Sequence, residues 1–65
     1  MNLKEIKSVL NQDAIPQEMR EEVLEKVSVL IKDYDVEVIP DMKKIRIDIY
    51  NEKGEKEDTF IYRFL

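Results

Sequence analysis

Lys44-Ile45-Arg46-Ile47-Asp48-Ile49-Tyr50 decides how the rest of this 65-residue chain is read. Three isoleucines alternate with polar or amphipathic neighbours. A period of two is that of a strand with one buried face, and β-branched side chains suit such a surface. Just upstream, Val36-Glu37-Val38-Ile39 shows the same period until Pro40 stops it. Proline has no N–H for a ladder, which predicts a sheet edge or a strand end there. Just downstream, Asn51-Glu52-Lys53-Gly54 is turn chemistry. Gly54 is the only glycine in the chain, and so the one residue that reaches positive φ cheaply. Phe60, Tyr62 and Phe64 then alternate with Thr59, Ile61 and Arg63, predicting a third strand.

Before Tyr34 the period is helical. Asn2-Leu3-Lys4-Glu5 reads as a capping box, followed by Leu3, Ile6, Val9 and Leu10 on one face. This predicts a short helix over about residues 3–10, which must pack on something to persist. Asn11-Gln12-Asp13 breaks the pattern. Asp13 offers a cap for the next helix, and Pro16 suits a first turn. Glu18, Glu21 and Glu22 put negative charge near the positive helix end. Met19, Val23, Val27, Leu30 and Tyr34 then form one stripe, widened by Leu24 and Ile31. A long helix over about residues 16–33 follows, with Glu22 and Lys26 paired at i,i+4.

The order helix, helix, strand, strand, strand predicts one α+β domain over residues 1–65. Its short and long helices should pack on one face of a three-stranded antiparallel meander. The inner face should carry Val36, Val38, Ile45, Ile47, Ile49, Phe60, Tyr62 and Phe64. A four-residue connection after Tyr50 aligns the isoleucines with the aromatic residues. A three-residue connection would turn one set outward, since a one-residue slip reverses every side chain.

Composition bounds function by exclusion. Eleven Lys+Arg against 15 Asp+Glu give a formal net charge of -4, and there is no Cys, His or Trp. No disulfide, zinc-thiolate site or thiol nucleophile can form, and the usual neutral-pH base is missing. Charged residues are 40% of the chain, but mixed signs and periodic apolar residues argue against disorder. No apolar run reaches the ~18 residues of a membrane span, and Met1 to Glu5 lack signal-peptide features. A cytoplasmic location is expected. The Lys-, Glu- and Ile-rich composition resembles that of low-GC bacterial or phage proteins.

Chemistry-bearing constellations are few. Ser8, Ser28, Thr59 and the lysines have no activating partner in sequence, and no glycine-rich phosphate loop exists. The expectation is a non-enzyme without cofactor. Asp33, Asp35, Glu37 and Asp41 suggest calcium, yet a loop counted from Asp33 has Val38 at its sixth position and Lys44 at its twelfth. An EF-hand requires Gly and Glu there, so the motif fails.

Two surface features remain. Ile39, Tyr50, Ile61 and Leu65 have outward parity, with Met42 close by, and exposed apolar area of this kind marks interfaces. A chain this short buries only about 60% of its unfolded surface, so an associating partner would help it. The strand Phe60-Ile61-Tyr62-Arg63-Phe64-Leu65 is followed by no polar tail, which fits pairing at a sheet edge. The leading expectation is a small interaction module that pairs with itself as a homodimer, or regulates or inhibits a larger protein. A minority form, an acidic mimic of nucleic acid along Glu18, Glu21, Glu22 and Glu25, is interrupted by Arg20 and Lys26. Lys43, Lys44, Arg46 and Arg63 gather near one hairpin end, and Lys44, Arg46 and Arg63 share the outward face with Tyr50 and Ile61. Nucleic-acid binding by that face is the alternative, set against an acidic overall charge.

The segment Ile15-Pro16-Gln17-Glu18, the long helix after it, Val36-Glu37-Val38 and Ile45 to Ile49 resemble in outline the helix and first strands of the FlaG-like flagellar proteins. The likeness covers about residues 15–55. Phe60 to Leu65 depart from that pattern, which continues through a Pro-rich turn into another helix. It is an analogy of form, and no functional residue is carried across.

Overall fold

A computed structural model describes residues 1–65. Helices α1 (Leu3–Leu10) and α2 (Gln17–Leu30) precede strands β1 (Asp35–Pro40), β2 (Lys44–Tyr50) and β3 (Lys56–Arg63). The strands form one antiparallel sheet in the order β1-β2-β3. This is the expected α+β meander, and β2 is its central strand.

The α1 capping box forms as its residue types predict. The Glu5 amide donates to Asn2 Oδ1 at 2.8 Å, and the Asn2 amide donates to Glu5 Oε1 at 3.1 Å. The α2 start differs from expectation. Its N-cap is Pro16, and no side chain caps it. Asp13 lies three residues upstream of that cap, too far back to serve the first-turn amides. The proline φ of -57° sets the entry instead. The α2 end also differs. The helix stops at Leu30, and Ile31 to Asp33 form turns whose amides return to Val27, Val29 and Leu30. Ile31 and Tyr34 continue the apolar spacing, but Asp35 must be extended to enter the sheet.

The core consists of Ile6 and Leu10 from α1, Ile15 from the connection, Val23 and Val27 from α2, and Val36, Val38, Ile45, Ile47 and Ile49 from the sheet. Phe60, Tyr62 and Phe64 lie on the same inner side but are only half-buried. Both helices approach β1 most closely, which leaves β3 thinly covered. What reaches over β3 is a long side chain: Lys26 Nζ lies 4.6 Å from the Phe60 ring centroid, a cation–π contact. Burial, with the Glu22 carboxylate as a second cause, raises the Tyr62 hydroxyl above its ordinary pKa.

The β2–β3 hairpin keeps the expected parity by another route. Its connection, Asn51 to Glu55, is five residues long, and the ladder carries a bulge at Ile49/Tyr50. The extra bulge residue reverses the slip that an odd connection would produce. Ile47 therefore faces Phe60, and Ile45 faces Tyr62. Asn51 organises this turn. Its Oδ1 accepts from the amides of Lys53 and Glu55, and its Nδ2 donates to the carboxylates of Glu55 and Glu57. Gly54 has φ +79°, the left-handed conformation its position requires.

Candidate functional site

The helices leave one sheet face and both sheet edges to be accounted for. The outward face is built in rows by the strand register. Lys44 lies opposite Arg63, Arg46 sits between Ile39 and Ile61, Asp48 between Glu37 and Thr59, and Tyr50 between Asp35 and Lys56. The apolar residues proposed as an interface do not join into one patch. Ile39 and Ile61 are separated by Arg46. Tyr50 lies beyond the Asp48 row. Met42, 73% exposed, is in the Asp41–Lys43 connection, and Leu65, 85% exposed, lies at the same end, where both the Phe64 and Leu65 amides donate to the Lys43 carbonyl.

The centre of this face is Asp48, an outward-facing residue that is nonetheless 1% exposed. Neighbouring side chains cover it. Thr59 Oγ1 donates to its Oδ1 at 2.8 Å, while Arg46 Nε and Lys56 Nζ lie 3.4 and 3.7 Å from its Oδ2. This network stitches β2 to β3 and satisfies the buried carboxylate. The alternation Arg46-Ile47-Asp48 signals a shared face for the two charges, but the cover from Thr59 and Lys56 depends on a register that spacing alone does not reveal.

The basic group gathers in part. Lys44 and Arg63 are cross-strand neighbours, Arg46 is one row away, and Lys43 is in the adjoining connection. Asp41 sits among them, accepting the amides of Lys43 and Lys44 at 2.7 and 2.8 Å. Those two hydrogen bonds, aided by the lysine charges, hold its carboxyl below the usual range. Tyr50, the aromatic meant to accompany the basic residues, is four positions from Arg46, about 13 Å along an extended strand. Asp33, Asp35, Glu37 and Asp41 are spread over a turn, β1 and the next connection, and no three acidic side chains converge as a metal-binding group.

The two edges are treated differently. In an antiparallel ladder alternate residues turn their backbone groups toward the neighbouring strand, and the others turn them away. The Asp41 amide donates to the Lys44 carbonyl, which fixes the β1–β2 alternation. Val36, Val38 and Pro40 consequently face the outer edge of β1. That edge is guarded: the Met1 nitrogen donates to the Val36 carbonyl at 3.0 Å, Met1 Sδ lies 3.2 Å from the Val38 nitrogen, and Pro40 has no N–H. On the other side, the Phe64 amide donates to the Lys43 carbonyl, which fixes the β2–β3 alternation. Thr59, Ile61 and Arg63 then face the outer edge of β3. The Thr59 amide is taken by the neighbouring Asp58 carboxylate at 2.8 Å. The backbone groups of Ile61 and Arg63 are left facing outward, and the Ile61 residue is 49% exposed beside them.

No family model, curated protein or solved structure matches the chain. The outline likeness to the FlaG-like proteins therefore carries no argument about its function. No helix is long and apolar enough to cross a membrane.

Proposed function

We propose that the protein is a small non-enzymatic interaction module that binds another polypeptide chain, foremost a copy of itself, along the open edge of β3. One observation carries this reading: the β1 edge is covered by Met1 and ended by Pro40, whereas β3 presents unpaired backbone at Ile61 and Arg63. A sheet edge with unpaired groups is a template for another chain, and folded proteins ordinarily guard it. The apolar side chain of Ile61 and the half-buried Phe60, Tyr62 and Phe64 add area beside that edge.

The test is light scattering across a dilution series, on the wild type and on Ile61→Asp. Ile61 is half-exposed, so the variant should fold. A carboxylate desolvated at the pairing edge should weaken association by about a hundredfold or more. Equal association of the two proteins would refute an interface at this edge. A protein that regulates or inhibits a larger partner would use the same edge while remaining a monomer alone.

A second reading, nucleic-acid binding, is favoured by the Lys43, Lys44 and Arg63 group at one end of the outward face. It ranks lower because Asp41 lies among those lysines, Asp48 engages Arg46, and Tyr50 is remote.

A further inference from the structure

We infer that the occupant of the β3 edge is a second copy of this chain, paired antiparallel about a two-fold axis at Phe60. This rests on the proposed use of that edge and specifies its partner and register. Charge gives the direction. The start of β3 and the turn before it carry Glu52, Glu55, Glu57 and Asp58 against Lys53 and Lys56, so acids outnumber bases there. The far end carries Arg63, with Lys44 beside it and Lys43 in the adjoining connection. Antiparallel pairing of two copies brings each acidic end against a basic end, whereas parallel pairing would set like charges side by side.

Backbone alternation restricts the register. Thr59, Ile61 and Arg63 turn their groups outward, and Glu57, the extra residue of the bulge, lies just before them. Odd-numbered residues must then meet odd-numbered residues, which also keeps the helices of both copies on one side of a continuous six-stranded sheet. Centring on Phe60 places Glu57 opposite Arg63 of the second copy, and Thr59 opposite its Ile61, each twice by symmetry. The two Phe60 residues meet as a non-hydrogen-bonded pair on the inner side. That side has room, because both helices lie closest to β1. The Asp58–Thr59 side-chain contact must yield, and the Glu57 carboxylate must turn from Asn51 Nδ2 toward Arg63 of the second copy.

The chain has no cysteine, so introduced thiols report the register directly. Non-hydrogen-bonded partners have Cα atoms about 4.5 Å apart, within disulfide range. Phe60→Cys should form a covalent dimer on mild oxidation. Tyr62→Cys should not, because its partner is Asp58. Arg63→Glu should weaken the dimer about tenfold by making both end pairs repulsive. Within its own chain the new carboxylate faces Lys44, so folding should survive, as circular dichroism would verify. The exchanged Glu57→Arg/Arg63→Glu chain should recover most of the loss. A wild type monomeric at about 1 mM, well above the range of specific dimers, overturns both this pairing and self-association through the edge. A dimer that Ile61→Asp breaks, but that Phe60→Cys does not cross-link and Arg63→Glu does not weaken, overturns the pairing alone and leaves the use of the edge intact.

Discussion

Ile47→Ala removes three carbons from the middle of the central strand. Ile47 is fully buried, faces Val38 on one side and Phe60 on the other, and belongs to the single core cluster. At about 0.8 kcal/mol per buried carbon, the lost transfer free energy is about 2.4 kcal/mol. If half of the vacated ~80 Å³ stays open, a cavity cost of ~24 cal/mol per Å³ adds about 1 kcal/mol. The sum, about 3.4 kcal/mol, is large for a chain of this length, whose whole stability is on the order of 3–10 kcal/mol. Urea titration followed by far-ultraviolet circular dichroism reads the change, and the chain has three tyrosines but no tryptophan for a fluorescence check. Ile47→Val provides the calibration, with an expected loss of about 0.5–1.5 kcal/mol. Both should lower the midpoint at unchanged m. An Ile47→Ala loss under about 0.5 kcal/mol would refute the packing argument, because no collapse of neighbours recovers three buried carbons so fully.

Gly54→Val should cost roughly 1–2 kcal/mol in the same assay. No atom lies within 4 Å of the added Cβ, so the whole effect is the strain of φ +79° on a branched residue, and a neutral result would mean that the turn relaxes. Asp41 has a folded pKa below its ordinary 3.8, so its contribution is present above that pH and is lost as pH falls through the folded value. Asp41→Ala should accordingly flatten the acid limb of the stability curve as pH falls below 3.8, and an unchanged limb would show that the Lys43 and Lys44 amides are equally well served by water. For the second functional reading, single-stranded oligonucleotides should bind with marked salt dependence that Lys44→Glu removes, and no binding at about 50 mM salt would retire it.

The elements were legible wherever a period persisted. Ile45, Ile47 and Ile49 define β2 whatever surrounds them, and Leu3, Ile6 and Leu10 with the capping box define α1. Legibility failed where position depends on distant residues. Ile15 is fully buried, yet it sits in an aperiodic stretch between two helices, and it joins a core built from both helices and the sheet. The parity of β3 was readable from its aromatic alternation. Its register was not, since a five-residue connection with a bulge and a four-residue connection without one give the same parity. The half-burial of Phe60, Tyr62 and Phe64 follows from the lean of the helices toward β1, which no local pattern encodes. Among the candidate residues, outward placement came from alternation alone, but the Asp48 network that divides them needed cross-strand neighbours.

That network bears on how a one-sided sheet avoids indiscriminate contact. A bare outward face would invite a second sheet to stack on it, and Ile39, Tyr50 and Ile61 would supply apolar area. Stacking would also desolvate Arg46 and Lys56, each about half-exposed while serving the buried Asp48 carboxylate. Burying such an arrangement costs several kcal/mol per ion unless new partners appear, and an identical face offers the same charges rather than complementary ones. Edge pairing carries no such penalty. The backbone groups of Ile61 and Arg63 gain hydrogen bonds, while Arg46 and Lys56 remain in water. The same carboxylate that joins β2 to β3 thus penalises stacking on the open face, which leaves the β3 edge as the route for the association proposed above.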